Sequence, residues 1–163
     1  MRFFSRLDFL LSAGLKSISV ASLCLLFATV ALVVATRIFG LRSAGWTDEL
    51  IELFFAWLLF PCAAALWRTK GHFAVDLLSQ TLRSQALKRG LAVLVEALCL
   101  VFLAVFVWQA CVFVQSTVSE TSPVFGVSRI YWYGVMPLTG AIMAGYSVAR
   151  IFWLMRNKEL QLQ

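Results

Sequence analysis

Charge is scarce in this chain. Only 13% of its 163 residues are Asp, Glu, Lys or Arg, about half of the roughly 25% that a soluble domain carries. Hydrophobic residues make up 61% and the mean hydropathy is +0.87, which excludes a soluble fold. Histidine is scarcer still. His72 stands alone, just past an apolar run, whereas a membrane haem protein needs histidines within its spans. The four cysteines, Cys24, Cys62, Cys99 and Cys111, all fall inside apolar runs and form no CxxC pair. A disulfide framework, a thiol-redox centre and a zinc-type metal pattern are therefore excluded, and these residues read as small hydrophobic filler. Internal repeats and low-complexity stretches are also missing. With most of the chain committed to apolar runs, the connections are too short for a separate soluble domain, and residues 1–163 are expected to form a single membrane domain.

What is present is four apolar runs, near 18–36, 50–67, 91–114 and 130–154. Each approaches or exceeds the roughly 20 residues that cross a hydrocarbon core of about 30 Å. The net charge of +6 is a topology signal rather than a nucleic-acid one. Arg2, Arg6 and Lys16 precede the first run; Arg68, Lys70, Arg83, Lys88 and Arg89 separate the second from the third; Arg150, Arg156 and Lys158 close the chain. Only Arg37, Arg42 and Arg129 fall in the other links. The positive-inside rule then places both termini and the middle segment in the cytoplasm. The expected fold is an all-α integral membrane protein of four transmembrane helices, with a short amphipathic inner-surface helix between helices 2 and 3. The first run is longer than a signal-peptide core and Arg37 follows it without a cleavage site, so it is expected to remain as a span.

Residues 3–15 place Phe3, Leu7, Leu11 and Leu15 four apart, which predicts an amphipathic stripe on the membrane surface. Gly40 and Gly45 in the first link predict a turn that brings span 2 back beside span 1. Trp46 sits where an interfacial aromatic anchors. In span 2, Glu49, Ala56 and Ala63 recur every seven residues, a stripe that permits close helix packing, and Pro61 predicts a kink. Residues 73–89 carry Val75, Leu78, Leu82 and Ala86 on one face, as expected of a helix lying on the membrane. Glu96 falls just inside span 3, where it must be neutralised or turned toward protein; Arg68, Lys70 or a partner's base is the expected counter-charge. Gln109, farther along, needs a hydrogen-bond partner unless water reaches it. Tyr131, Trp132 and Tyr133 predict an aromatic belt at the start of span 4. Pro137, Gly134, Gly140 and Gly145 predict a bent helix with a close-packing face at Ala141, Gly145 and Ala149. Arg150 and Arg156 are expected to snorkel to the inner surface.

Glu49 and Glu52 share a helix face near one boundary. First-turn acids stabilised by the helix dipole, a contact with another subunit or a periplasmic partner, and a cation-coupling site all fit that placement. Arg68, His72 and Asp76 are spaced four apart and read as a structural network at the inner surface; no nucleophile, metal set or phosphate loop accompanies them, so catalysis is excluded.

These residues resemble a family. Glu49 and Glu52, the runs Phe55-Ala-Trp57-Leu-Leu-Phe60 and Ala63-Ala-Ala-Leu-Trp-Arg68, and Gly71-His72-Phe-Ala-Val75-Asp76 are similar to the small membrane subunit of tripartite ATP-independent periplasmic (TRAP) transporters, the DctQ-like family. Ser122-Pro123-Val-Phe-Gly126 and Tyr131-Trp-Tyr133-Gly-Val-Met-Pro137 extend the resemblance, which covers about 46–146. Pro61 departs from the glycine or small residue expected there. The resemblance implies a non-enzymatic subunit that scaffolds a large multi-span permease subunit within lipid and helps dock a periplasmic substrate-binding protein. It implies uptake of an organic acid, such as a carboxylate or sialic acid, driven by an ion gradient. It implies no cofactor in this chain and a coupling ion, sodium, held by the large subunit. Glu49, Glu52, Arg68, His72, Asp76 and Glu96 are the candidates for a subunit interface or structural network. Arg37, Arg42, Trp46, Glu120 and Arg129 are those for periplasmic docking, and Ala56, Ala63, Pro137, Ala141 and Gly145 those for helix packing. The competing reading is a self-contained proton-coupled exporter working as a homodimer, but such a carrier needs an acid within helix 1, and 17–36 hold none.

Overall fold

The computed structural model of the protein describes residues 2–40, 45–68 and 85–156. They form α1 (Arg2–Ile38), α2 (Trp46–Arg68), α3 (Gln85–Thr117), α4 (Ile130–Tyr133) and α5 (Val135–Arg156). Four stretches of these helices are long and apolar enough to cross a membrane: Asp8–Ile38, Trp46–Arg68, Gly90–Thr117 and Ile130–Leu154.

The first helix takes in the residues at 3–15 expected to form a surface stripe. It is continuous from Arg2 to Ile38, because a different face organises it. Ser12, Leu15, Ser19, Ser22, Thr29 and Val33 are buried at helical spacing, a line of mostly small residues on the helix that packs against α2. Two of its hydroxyls bond to their own backbone, Ser19 Oγ to the Leu15 carbonyl at 2.9 Å and Thr29 Oγ1 to the Leu25 carbonyl at 2.8 Å, so they are satisfied without a cross-helix partner. Gly40, at φ +68°, ends α1 in a left-handed conformation that favours glycine.

Helix α2 is the spine, packing on α1 at one side and on α5 at the other, while α3 packs on α5. Ala56, Ala64 and Ala65 are its buried positions, together with Pro61, through which the helix continues; Ala63 is half-buried beside them. On α3 the buried residues Glu96, Leu103, Ala110 and Thr117 are seven apart and mark the seam toward α5. Leu15, Ala64, Ala65, Leu103 and Met143 form the core, so each of the four spans contributes to it. Phe60 stacks on Phe106 with centroids 6.2 Å apart. Gly140 admits α3 closely: a Cβ there would stand 2.8 Å from Val107 Cγ2 and 3.0 Å from the Phe106 ring.

The fourth span is interrupted at Gly134, between α4 and α5. Pro137 accounts for this, since it has no N–H to offer the Tyr133 carbonyl and its ring crowds that carbonyl. The stripe Ala141, Gly145 and Ala149 is exposed, so the close approach within the chain occurs at Gly140 and not along that stripe. Residues 73–84 of the expected inner-surface helix lie outside the described residues, and 85–89 already belong to α3.

Candidate functional site

Two polar clusters flank the core at opposite ends of α2. At the Arg68 end, the guanidinium of Arg68 grips Asp8 of α1: Nε donates to Oδ1 at 2.9 Å and Nη2 to Oδ2 at 2.6 Å, while Nη1 donates to Ser12 Oγ at 3.1 Å. The Tyr146 hydroxyl of α5 donates to the same Asp8 carboxylate at 2.8 Å. Beside it, Trp67 Nε1 donates to Ser147 Oγ at 2.9 Å. Arg150 donates through Nη2 to the Trp67 carbonyl and through Nη1 to Glu96 Oε2, each at 3.2 Å. All four spans meet in this cluster. Two-pronged arginine–carboxylate contacts of the Arg68 kind fix orientation as well as charge.

Two expectations are corrected here. Glu96 is neutralised by Arg150 rather than by Arg68, and Arg150 turns inward rather than snorkelling outward. The reason is register: α3 packs on α5, so Glu96 at the buried seam meets the α5 cation, while Arg68 at the end of α2 faces α1. Lys70 lies outside the described residues. Glu96 is 8% exposed, and its Oε1 is buried without a hydrogen-bond partner among them.

At the Glu49 end, the link 118–129 folds back on α2. Ser122 Oγ donates to the Glu49 carboxylate and accepts the backbone N–H of Phe125 at 2.8 Å, so one hydroxyl shapes the turn and fastens it. Gly126, at φ +65°, closes that turn by donating its N–H to the Ser122 carbonyl at 2.9 Å. Trp132 Nε1 donates to the Glu49 carbonyl at 2.9 Å, and Trp57 Nε1 to the Tyr131 carbonyl at 2.9 Å. The Tyr133 hydroxyl donates to Glu52 and accepts from Arg129 Nη1 at 3.3 Å; Arg129 itself is 3.9 Å from Glu52. The bond to Tyr133 pushes the Arg129 guanidinium further above its ordinary range, so it remains a cation. The expected aromatic belt is thus split: Tyr131 faces outward, whereas Trp132 is buried and Tyr133 rests edge-on against Phe113 at 4.9 Å.

Of the candidate residues, Arg68 and Glu96 sit in one cluster and Glu49, Glu52 and Arg129 in the other. His72, Asp76 and Arg42 lie outside the described residues. Arg37, Trp46 and Glu120 are exposed, near the Glu49 end. Sequence reading missed Asp8, Trp67, Tyr146 and Ser147. An acid at position 8 four residues before Ser12 was the available signal, since an acidic residue opposing the basic end of α2 offers a counter-charge.

The chain matches the family described as "Tripartite ATP-independent periplasmic transporters, DctQ component" over residues 20–157. It is 27% identical over 126 residues to the C4-dicarboxylate TRAP transporter small permease protein DctQ of Pseudomonas aeruginosa, a match that takes in 74% of this chain and 60% of that protein. The family match and the four apolar helices agree, and the chain belongs to the DctQ component family of tripartite ATP-independent periplasmic transporters, a multi-pass inner-membrane transporter component and not an enzyme.

Proposed function

We propose that this chain is the small permease subunit of a TRAP carrier, bracing a large multi-span permease subunit and helping an exported substrate-binding protein to dock. The observation that most supports this reading is that Glu49, Glu52, Arg68 and Glu96 are each held by side chains of another element, around a core of Leu15, Ala64, Ala65, Leu103 and Met143. Groups tied into interhelix contacts suit a fixed strut better than a site that opens and closes around cargo. The Arg68 end and both termini face the cytoplasm, following the basic residues. The link 118–129 then faces the periplasm, where exposed Arg37 and Glu120, with Arg42, Trp46 and Arg129, meet the binding protein. The large subunit holds the coupling ion, sodium, and the substrate, an organic acid such as a carboxylate or sialic acid; the name of the Pseudomonas relative points toward a C4-dicarboxylate. This chain carries no cofactor and is surrounded by lipid.

The test is substrate uptake into proteoliposomes holding this subunit, the large permease, or both, each with binding protein and a sodium gradient. Uptake is expected only with both. Uptake by the small subunit alone would overturn the reading.

A further inference from the structure

Gln109 faces away from the bundle at a depth where nothing in a lipid bilayer satisfies it. On α3 the buried seam runs through Glu96, Leu103, Ala110 and Thr117, and the opposite face, with Leu98, Phe102, Val105, Trp108 and Val112, is exposed. Gln109 is exposed on that same face, one turn from Val105 and about 100° from the seam residue Ala110. At 1.5 Å per residue it lies roughly 12 Å from Thr117 and roughly 20 Å from Glu96 along the axis. Phe106 stacks on Phe60 below it and Phe113 rests on Tyr133 above it, which fixes its level within the span. The side chain is too short to reach either headgroup layer as a lysine or arginine does. Its carboxamide offers two donors and two lone pairs, and hydrocarbon answers none of them. No described residue does either. On α1, by contrast, Ser12, Ser19, Ser22 and Thr29 are turned into the chain, and the exposed Ser17 lies beside Lys16 toward the start of the helix.

We propose that the outward face of α3, centred on Gln109, is covered by a transmembrane helix of the large permease subunit, which sets a hydrogen-bonding side chain or an open backbone carbonyl against the Gln109 carboxamide. The proposal rests on the functional reading above and adds the face by which the subunits join. The apolar residues around Gln109 would suit lipid equally well; the carboxamide separates a protein neighbour from a lipid one, because interhelical hydrogen bonds are how a membrane interior accommodates such a group.

The test uses the tagged full chain coexpressed with the large permease. A photoreactive residue at Val105 or Val112, with Gln109 retained, is expected to give an adduct of the chain with the large subunit. Gln109→Leu is expected to lower the recovered complex roughly three- to tenfold, the range for one interhelical hydrogen bond in a membrane, with Gln109→Asn keeping most of it and the chain's own membrane yield unchanged. Adducts with a second copy of this chain or with lipid alone, or full assembly of Gln109→Leu, would overturn the proposal. Recovery of the wild-type complex without adducts at Val105 or Val112 defeats this inference alone. Absence of any wild-type complex defeats it together with the functional reading.

Discussion

Removing Arg150 should be costly in a way that depends on Glu96. The pair is separated by 3.2 Å, and only 21% of the Arg150 side chain and 11% of the Glu96 side chain are exposed. Arg150→Met strips both the counter-charge and the donor to the Trp67 carbonyl, and leaves a carboxylate whose Oε1 already has no described partner. Breaking one side of a buried pair costs about 3–5 kcal/mol. The residual exposure of both groups argues for the lower end, about 3 kcal/mol. Glu96→Gln should be far milder, about 1 kcal/mol, because the amide oxygen still accepts from Arg150 while Arg150 keeps the Trp67 carbonyl. The double variant then has no buried charge to strand, so it should recover about 2 kcal/mol of the summed single losses. Glu96→Lys, which sets two cations side by side, should not assemble. The measurement is a double-mutant cycle on unfolding free energy in lipid bicelles, read by steric trapping. Single penalties that add to within about 0.5 kcal/mol would show that the two side chains do not depend on each other and would refute the reasoning.

Two substitutions five residues apart should split cleanly. Gly140→Ala forces a Cβ to 2.8 Å from Val107 Cγ2 and should cost about 1–3 kcal/mol by overpacking, whereas Gly145→Ala meets nothing within 4 Å and should leave the isolated chain's stability unchanged; the same bicelle assay decides. Asp8→Asn should loosen the start of α1 without unfolding the chain, since the Arg68 pair is about a third exposed and is worth about 1 kcal/mol after screening. A spin label at Leu11 should become more mobile, and an unchanged spectrum would count against the clasp. In a cysteine-free background in intact cells, an impermeant maleimide should label Glu120→Cys and spare Lys88→Cys; labelling at Lys88 reverses the topology.

The four spans were legible because hydropathy over some twenty residues is set by the membrane and needs no partner. The fourth range, 130–154, coincides with the span found. The extension of the first span back to Asp8 was not legible from hydropathy, since Asp8, Ser12 and Lys16 interrupt the apolar run, and the contact of Arg68 with Asp8 and Ser12 is visible only in the fold. Glu96 was correctly read as needing a base, yet its base could not be chosen from sequence. Arg68, Lys70 and Arg150 all fall near the same boundary, and the choice depends on which helix α3 packs against, a matter of tertiary order. Likewise Tyr131, Trp132 and Tyr133 look alike in sequence, and only the break at Gly134 decides which of them points outward.

Three indole N–H groups bear on how α2 and the fourth span hold their register. Trp132 donates to the Glu49 carbonyl and Trp57 to the Tyr131 carbonyl at one end, and Trp67 donates to Ser147 Oγ at the other, each at 2.9 Å. In lipid there is no hydrophobic drive to press helices together, so packing and such bonds set their arrangement. A single clasp would leave the pair free to pivot about it. Clasps at both ends oppose pivoting, and they also oppose sliding: a shift of one residue displaces a helix by about 1.5 Å, which would lengthen and misalign the bonds at both ends together. Between the clasps, Ala64 at 0% exposure and Ala65 at 5% bring the backbones close without long side chains that could reseat in a neighbouring groove. Register is therefore set at the ends and closeness in the middle, which leaves the outward face of α3 free to meet another helix without disturbing either.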